Sequence, residues 1–260
     1  MSLLVYPGSK RKHIQELLPL IPSGTKTIVS PFFGGGSFEF YLARHGYKVV
    51  AGDSFADLVN FWKCVKNRPG KLADTIRQFV PMSESKFHQA LEWLRQRQTT
   101  KKKTLIDAAV FYVLNRCSFG GKNSSISRDH LASFNKSHAK LIRAVEEFEW
   151  PKNLSLKYCD YRQLLNKYPH RFAFCDPPYM LKVDNLYGLR GEQHKAFDHE
   201  DFARRMMARK SQWMITYNEH PKIVEWFKAY PTLRLNESTG FRRTAESRIH
   251  FGHIAILNTK

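Results

Sequence analysis

Arg171-Phe172-Ala173-Phe174-Cys175-Asp176-Pro177-Pro178-Tyr179 begins as an apolar run and stops at an acid and two prolines. A short apolar run bounded by turn residues reads as a buried strand. Neither proline carries an N–H for a ladder, and Pro178 confines Pro177 to extended backbone. The chain therefore leaves the sheet here in a stiff turn. One carboxylate (Asp176), the Pro177 carbonyl and the Tyr179 ring are left at the carboxyl end of a strand. In open α/β sheets that edge is where ligands bind. The plain alternative is an Asp-Pro turn without chemistry, since both residues are common turn formers.

Upstream, Thr27-Ile28-Val29-Ser30 reads as a strand, followed by Pro31-Phe32-Phe33-Gly34-Gly35-Gly36-Ser37 and an apolar helical segment over 38–42. Strand, glycine turn and helix open a nucleotide-binding βαβ unit, although three consecutive glycines are not the GxGxxG fingerprint. Tyr47-Lys48-Val49-Val50-Ala51-Gly52-Asp53 reads as a second strand ending in an acid. An acid about 20 residues past the glycines suits ribose hydroxyls; Asp53 is equally placed to cap the helix from Ala56. Before these, Leu4-Val-Tyr6-Pro7-Gly8-Ser9-Lys10 leads into a basic amphipathic helix over 11–20, with Ile14, Leu17 and Leu18 on one face. Such a helix start favours an anion, or serves only as a capped turn.

Between the second and third strands the pattern turns helical, at 58–65, 71–79, 85–96, 104–114 and roughly 138–148. Strand patterns resume at 154–157, 171–175, 212–216, near Leu233 and at 249–257. The fold class expected is α/β: a Rossmann-like mixed sheet flanked by helices, with a mostly helical insertion. Residues 1–56 and 151–260 form its two parts, and residues 57–150 the insertion. The stretch 182–198, with Tyr187, Gly188, Gly191 and His194, reads as a mobile loop beside the site, and Phe241-Arg242-Arg243 as a basic tip.

The 260 residues are 42% hydrophobic, enough for a substantial core. Their formal net charge is +19, divided as +3 over 1–55, +8 over 56–150 and +8 over 151–260. A basic excess spread over the whole chain implies a folded basic surface and a polyanionic partner, nucleic acid first. Cys64, Cys117, Cys159 and Cys175 lack metal-ligand spacing and read as free thiols of a reducing compartment. A cytoplasm or a nucleus is therefore the expected compartment. No apolar run spans a membrane, so no membrane partner is expected. Two loops stand out in the insertion. Arg95 to Lys103 is basic and polar and reads either as a solvated loop or, at Lys101, Lys102 and Lys103, as phosphate contacts. Asn115-Arg116-Cys117-Ser118-Phe119-Gly120-Gly121-Lys122-Asn123-Ser124-Ser125 reads as flexible and outside the core. In it Arg116 and Asn123 suit base edges, and Phe119 between small residues suits a base stack.

The groups at Asp176 suit a particular chemistry. The exocyclic amine of adenine or cytosine is a poor nucleophile, because its lone pair is delocalised into the ring. A carboxylate and a carbonyl that both accept its hydrogens draw it toward tetrahedral geometry. Fixed acceptors of this kind are a strong catalytic lever, and an aromatic ring holds the base by stacking.

With these segments together, the chain resembles the DNA adenine methyltransferases of the Dam type, including phage-borne ones. The matching stretches, in order, are Tyr6-Pro7-Gly8-Ser9-Lys10, Ser30 to Ser37, Gly52-Asp53-Ser54-Phe55-Ala56-Asp57-Leu58, Asn115-Arg116 with Phe119-Gly120-Gly121, Asp160-Tyr161 and Asp176-Pro177-Pro178-Tyr179. A looser match lies at Thr216-Tyr217-Asn218. The resemblance implies S-adenosylmethionine as methyl donor and double-stranded DNA as partner, with the target adenine flipped out of the duplex. It implies in-line transfer without a covalent intermediate or a metal. It assigns the cofactor to Tyr6, Lys10, Phe33, Gly34, Gly35, Gly36, Ser37, Asp53, Ser54, Asp160, Tyr161 and Asp176. It assigns catalysis to Asp176, Pro177, Pro178 and Tyr179; the DNA contacts expected at Asn115, Arg116, Phe119, Lys122 and Asn123 rest on the residues of that loop itself. Two departures are visible. The family usually has an acid before the proline of the glycine motif, where it helps hold the cofactor's ammonium; here the residue is Ser30. The loop after Gly121 is serine-rich, so no target sequence is carried over. An RNA exocyclic-amine methyltransferase, or an inactive DNA-binding scaffold, stands beside this reading.

Overall fold

Strands with apolar residues on both faces belong in the middle of a parallel sheet covered on both sides. A computed structural model describes residues 2–100, 102–180, 197–236 and 252–259. Its described strands are β1 (Thr27–Ser30), β2 (Lys48–Asp53), β3 (Leu154–Tyr158), β4 (Phe172–Cys175), β5 (Trp213–Asn218), β6 (Thr232–Leu235) and β7 (His253–Asn258). They form one mixed sheet in the order β3-β2-β1-β4-β5-β7-β6. β1 to β5 pair in parallel, and β7 runs antiparallel between β5 and β6. The two-residue period of a strand divides the core. Phe172, Phe174 and Met214 join Ile28 and Val49 on one face, while Ala173, Cys175, Trp213 and Ile215 face the other.

The described helices are α1 (Ile14–Leu17), α2 (Ser37–Arg44), α3 (Ala56–Asn67), α4 (Pro69–Arg77), α5 (Glu84–Gln96), α6 (Leu105–Cys117), α7 (Arg128–Glu146), α8 (Tyr161–Lys167), α9 (His199–Ala208) and α10 (Pro221–Trp226). α3 to α7 lie between β2 and β3 in sequence. α6 is buried on nearly every side, the mark of a central helix. Thr104 and Asp107 close its start with reciprocal hydrogen bonds, a capping box. Around it pack α3, α4, α5 and α7, and their apolar residues merge with the Ile28 and Val49 face of the sheet. All four cysteines are free, and no described helix is long and apolar enough to cross a membrane.

Two helices depart from their sequence patterns. α7 starts at Arg128 rather than near 138, because the Ser127 hydroxyl accepts the His130 N–H and caps it. The single helix expected over 11–20 is a 3-10 turn (Lys10–His13), one α turn and a second 3-10 turn (Leu18–Leu20). Pro19 has no N–H to continue an α-helix. Residues 182–196 of the loop expected over 182–198, Lys101, the 241–243 tip and residues 249–251 lie outside the described residues.

The strand order reverses between β1 and β4. Open α/β sheets bind ligands in the crevice at such a reversal, beyond the carboxyl ends of the strands. Here those ends carry Ser30, Asp53 and Asp176.

Candidate active site

Asp176 follows directly on β4 and turns into the crevice. Its Oδ2 accepts from Lys10 Nζ at 2.6 Å, and its Oδ1 accepts from Thr216 Oγ1 at 2.8 Å. Lys10 is buried and also donates to the Gly8 carbonyl at 2.7 Å, so the N-terminal segment is stitched to β4. A carboxylate has about four acceptor positions. Two are used, and the side chain remains 21% exposed. Thr216 is fully buried on β5, the strand next to β4. One residue pair on, Asn218 accepts the Met180 N–H (3.1 Å) and donates to the Met180 carbonyl (2.8 Å), anchoring the far side of the proline turn.

Pro177 and Pro178 line the crevice, whereas Tyr179 does not. Its buried ring lies behind the turn, beside Tyr217, with Lys10 Nζ 5.1 Å from the ring centre. The expectation of an open stacking face is corrected here. The Tyr179 hydroxyl lies 2.9 Å from His253 Nδ1. Burial, then Lys10 and His13, lowers His253 to about 4, so its ring is neutral near pH 7 and able to accept that hydroxyl proton.

The glycine turn is built from both sides. Gly34 and Gly36 have φ of 50° and 66°, backbone that residues with a Cβ rarely adopt. A Cβ on Gly34 would meet the Tyr6 ring at 2.7 Å. The Gly34 N–H donates to Asp53 Oδ2 (2.9 Å), and Trp62 Nε1 donates to the Gly34 carbonyl (3.1 Å). Asp53 Oδ1 takes the Phe55 N–H (2.9 Å), so its carboxylate ties the turn to the end of β2. Burial pushes Asp53 up to about 6, against the backbone donors that hold it down. Phe55, not Asp53, is the N-cap position of α3. Beside the turn, Glu39 of α2 is 3% exposed and its Oε1 accepts from Ser30 Oγ at 2.7 Å.

The opposite wall is aromatic. Tyr161 stacks on Phe32 at 5.5 Å, and its hydroxyl donates to Asp201 Oδ2 at 3.0 Å. Asp160 caps α8, accepting the Arg162 N–H at 2.8 Å. Asp201, which Arg205 first of all holds well below the usual carboxylate range, gathers Tyr161, Arg162 and Arg205. The crevice measures about 430 Å³. Tyr6, Lys10, Phe33, Gly34, Gly35, Gly36, Ser37, Asp53, Ser54, Asp160, Tyr161 and Asp176 all line it, so residues separated by up to 170 positions meet in one cleft. Its ionisable lining comprises five carboxylates (Glu39, Asp53, Asp160, Asp176, Asp198) against Lys10 and Arg162. In a chain of net charge +19, that lining reverses the sign of the whole.

A sequence model of the family described as D12 class N6 adenine-specific DNA methyltransferase matches residues 6–240. The chain belongs to that family. No curated protein matches it. As a DNA adenine methyltransferase it is an enzyme that methylates the 6-amino group of adenine, with DNA as substrate.

The methyltransferase's 115–125 segment differs from its reading as a flexible loop. Asn115 is 1% exposed; it accepts the Val5 N–H (2.9 Å) and donates to the carbonyls of Val5 (2.9 Å) and Gly121 (2.8 Å). Asn123 is 3% exposed, at a φ of 57°, and its N–H donates to Ser118 Oγ. Asn115 was expected to contact DNA and Asn123 a base edge; both are corrected, because both residues are enclosed. Gly121 is forced, because a Cβ there would lie 2.0 Å from the Val5 carbonyl oxygen. The segment is closed by an antiparallel bridge between Ser118 and Ile126. Phe119, 46% exposed, and the half-buried Arg116 and Lys122 remain at its surface. Lys103 is also corrected as a phosphate contact: its buried Nζ pairs with Asp57 at 2.8 Å. Sequence reasoning missed Glu39, Thr216 as a partner of Asp176, and Asp201. Glu39 sat within an apolar pattern, and no local signal marked it.

Proposed function

We propose that this methyltransferase takes its methyl group from S-adenosylmethionine bound in the acid-rich cleft, and delivers it to an adenine flipped out of duplex DNA. The observation that carries this is Asp176, held from both sides by Lys10 and Thr216 at the strand reversal, beside the glycine turn. The cleft suits the cofactor in size, since ligand sites run from about 300 to 1,000 Å³. It suits it in charge, since a sulfonium and an ammonium outweigh one carboxylate. Bound there, the cofactor supplies a methyl group made electrophilic by its positive sulfur.

The chain's own residues do the rest. Asp53 keeps the glycine turn in the shape that lets the methionyl part pass close, and stands at the ribose. Asp160, Tyr161 and Phe32 flank the cofactor's adenine. Asp176 and the Pro177 carbonyl accept the hydrogens of the target amine, and the carboxylate faces the positive charge that grows on nitrogen as the bond forms. Lys10 and Thr216 keep Asp176 from rotating, so little reorganisation accompanies reaction. Pro178 and Tyr179 keep the turn in place. The insertion over residues 57–150 presents Arg116, Phe119 and Lys122 to DNA, and an enzyme of this reading works where DNA lies, in the cytoplasm of a bacterial or infected cell or in a nucleus. The test is incubation with isotopically labelled S-adenosylmethionine and either duplex DNA or RNA of randomised sequence, followed by nucleoside mass spectrometry. Labelled 6-methyladenine in DNA is the expected product. Label confined to RNA, or to cytosine, would overturn the proposal.

A further inference from the structure

Glu39 is a buried acid with no ion-pair partner among the described residues. It sits at the third residue of α2, and its described hydrogen-bond partner is the Ser30 hydroxyl at the end of β1. The charged groups that act on it across the cleft are Asp176 beyond β4, which disfavours its charge, and Lys10, which favours it. Lys10 directs its hydrogen bonds elsewhere, to Asp176 and Gly8. Taking a carboxylate out of water is costly unless a partner compensates, and an enclosed acid in a cleft is a mark of a binding site. The start of α2 offers some compensation through its free N–H groups. The larger compensation is a cation brought by the ligand. Glu39 lines the cleft together with Gly36 and Ser37 of the glycine turn.

On the reading that the cleft holds S-adenosylmethionine, we infer that Glu39 is the binding partner of the cofactor's α-ammonium. The 2.7 Å bond to Ser30 brings the α2 carboxylate to the very strand end where this chain has a hydroxyl instead of an acid. The negative charge is supplied from the helix that follows the glycine turn, and Ser30 orients it. Without a ligand, burial first of all pushes Glu39 up to about 7, with the Ser30 bond opposing. An arriving ammonium ionises it.

Calorimetry on the full chain tests this with two ligands. S-adenosylhomocysteine carries the ammonium; 5′-methylthioadenosine has the same nucleoside and sulfur but lacks the amino acid. Glu39→Gln keeps the size and the Ser30 bond. It is expected to weaken S-adenosylhomocysteine roughly ten- to a hundredfold, the usual range for a lost hydrogen bond to a charged group, and to leave 5′-methylthioadenosine within twofold of the parent. Unchanged S-adenosylhomocysteine affinity would overturn the inference alone. So would an equal loss for both ligands, which would mean general damage to the cleft. A parent chain that binds neither would overturn the cofactor reading, and the inference with it.

Discussion

Thr216→Val removes one of the two hydrogen bonds that hold Asp176 and changes little else. Both side chains are β-branched and suit a strand, and position 216 is fully buried, so the added methyl is accommodated as core. A hydrogen bond to an ionised group contributes roughly 1.5–3 kcal/mol. The buried methyl returns about 0.8 kcal/mol, and the freed Oδ1 is partly hydrated because Asp176 is 21% exposed. The net loss of stability is therefore about 1–2 kcal/mol, a few degrees in melting temperature for a chain of this size. The catalytic loss is expected to exceed this. Asp176 keeps Lys10 but is free to turn about its last torsion, and an acceptor misplaced by an ångström costs up to about a hundredfold. Single-turnover methylation of duplex DNA is expected to slow roughly ten- to a hundredfold at saturating cofactor. Cofactor affinity measured by calorimetry is expected to stay within threefold. Thr216→Ser, which keeps the hydroxyl, is expected to retain most of the rate. A Thr216→Val rate within twofold of the parent would refute the view that Thr216 positions Asp176.

Asp176→Ala is expected to abolish methyl transfer while duplex binding, read by fluorescence anisotropy, stays within about threefold of the parent; activity within tenfold of the parent would remove Asp176 from its role. Asn115→Ala strips three hydrogen bonds from a buried site and is expected to cost roughly 3 kcal/mol in urea unfolding with no change in target preference; an altered methylation profile would return Asn115 to the DNA surface. Arg116→Ala is expected to cost roughly 1–3 kcal/mol and relax preference at one base position, so identical profiles across randomised duplexes would take it out of recognition. For Glu39, whose folded carboxyl is raised from 4.5 to about 7, stability is fully present below pH 4.5 and lost as pH rises through 7. Glu39→Gln is therefore expected to unfold at higher urea than the cofactor-free parent at pH 8, by up to roughly 3 kcal/mol, with the gap closing at pH 4; a gap independent of pH would contradict the burial of an ionisable acid.

Much of the architecture was legible because it rests on local pattern. β1, β2 and β4 stand where short apolar runs end in Ser30, Asp53 and Asp176. α3 to α6 follow their helical periodicity to within a few residues. The cleft was legible for a related reason: strand ends and the glycine turn were placed by topology once the order of elements was known. α7 was read short although Leu131 and Phe134 lie in its first two turns, because its start is marked only by a single serine cap.

Order and spacing along the chain determined the α/β fold and the family motifs, and composition gave a net charge of +19. Burial of polar groups was decided only in three dimensions. Gly121 and Asn123 look like loop residues, since most of their neighbours in sequence are small or polar, and Asn115 was read with them although it lies in the last turn of α6. What encloses Asn115 and forces Gly121 is Val5, 110 residues upstream of Asn115. Lys103 reads as solvated until Asp57 is seen against it. Glu39 reads as one acid on an apolar helix until the sheet brings Ser30, Lys10 and Asp176 around it. A hydrogen bond or ion pair depends on partners a few ångströms away in space, and no local window of sequence contains them.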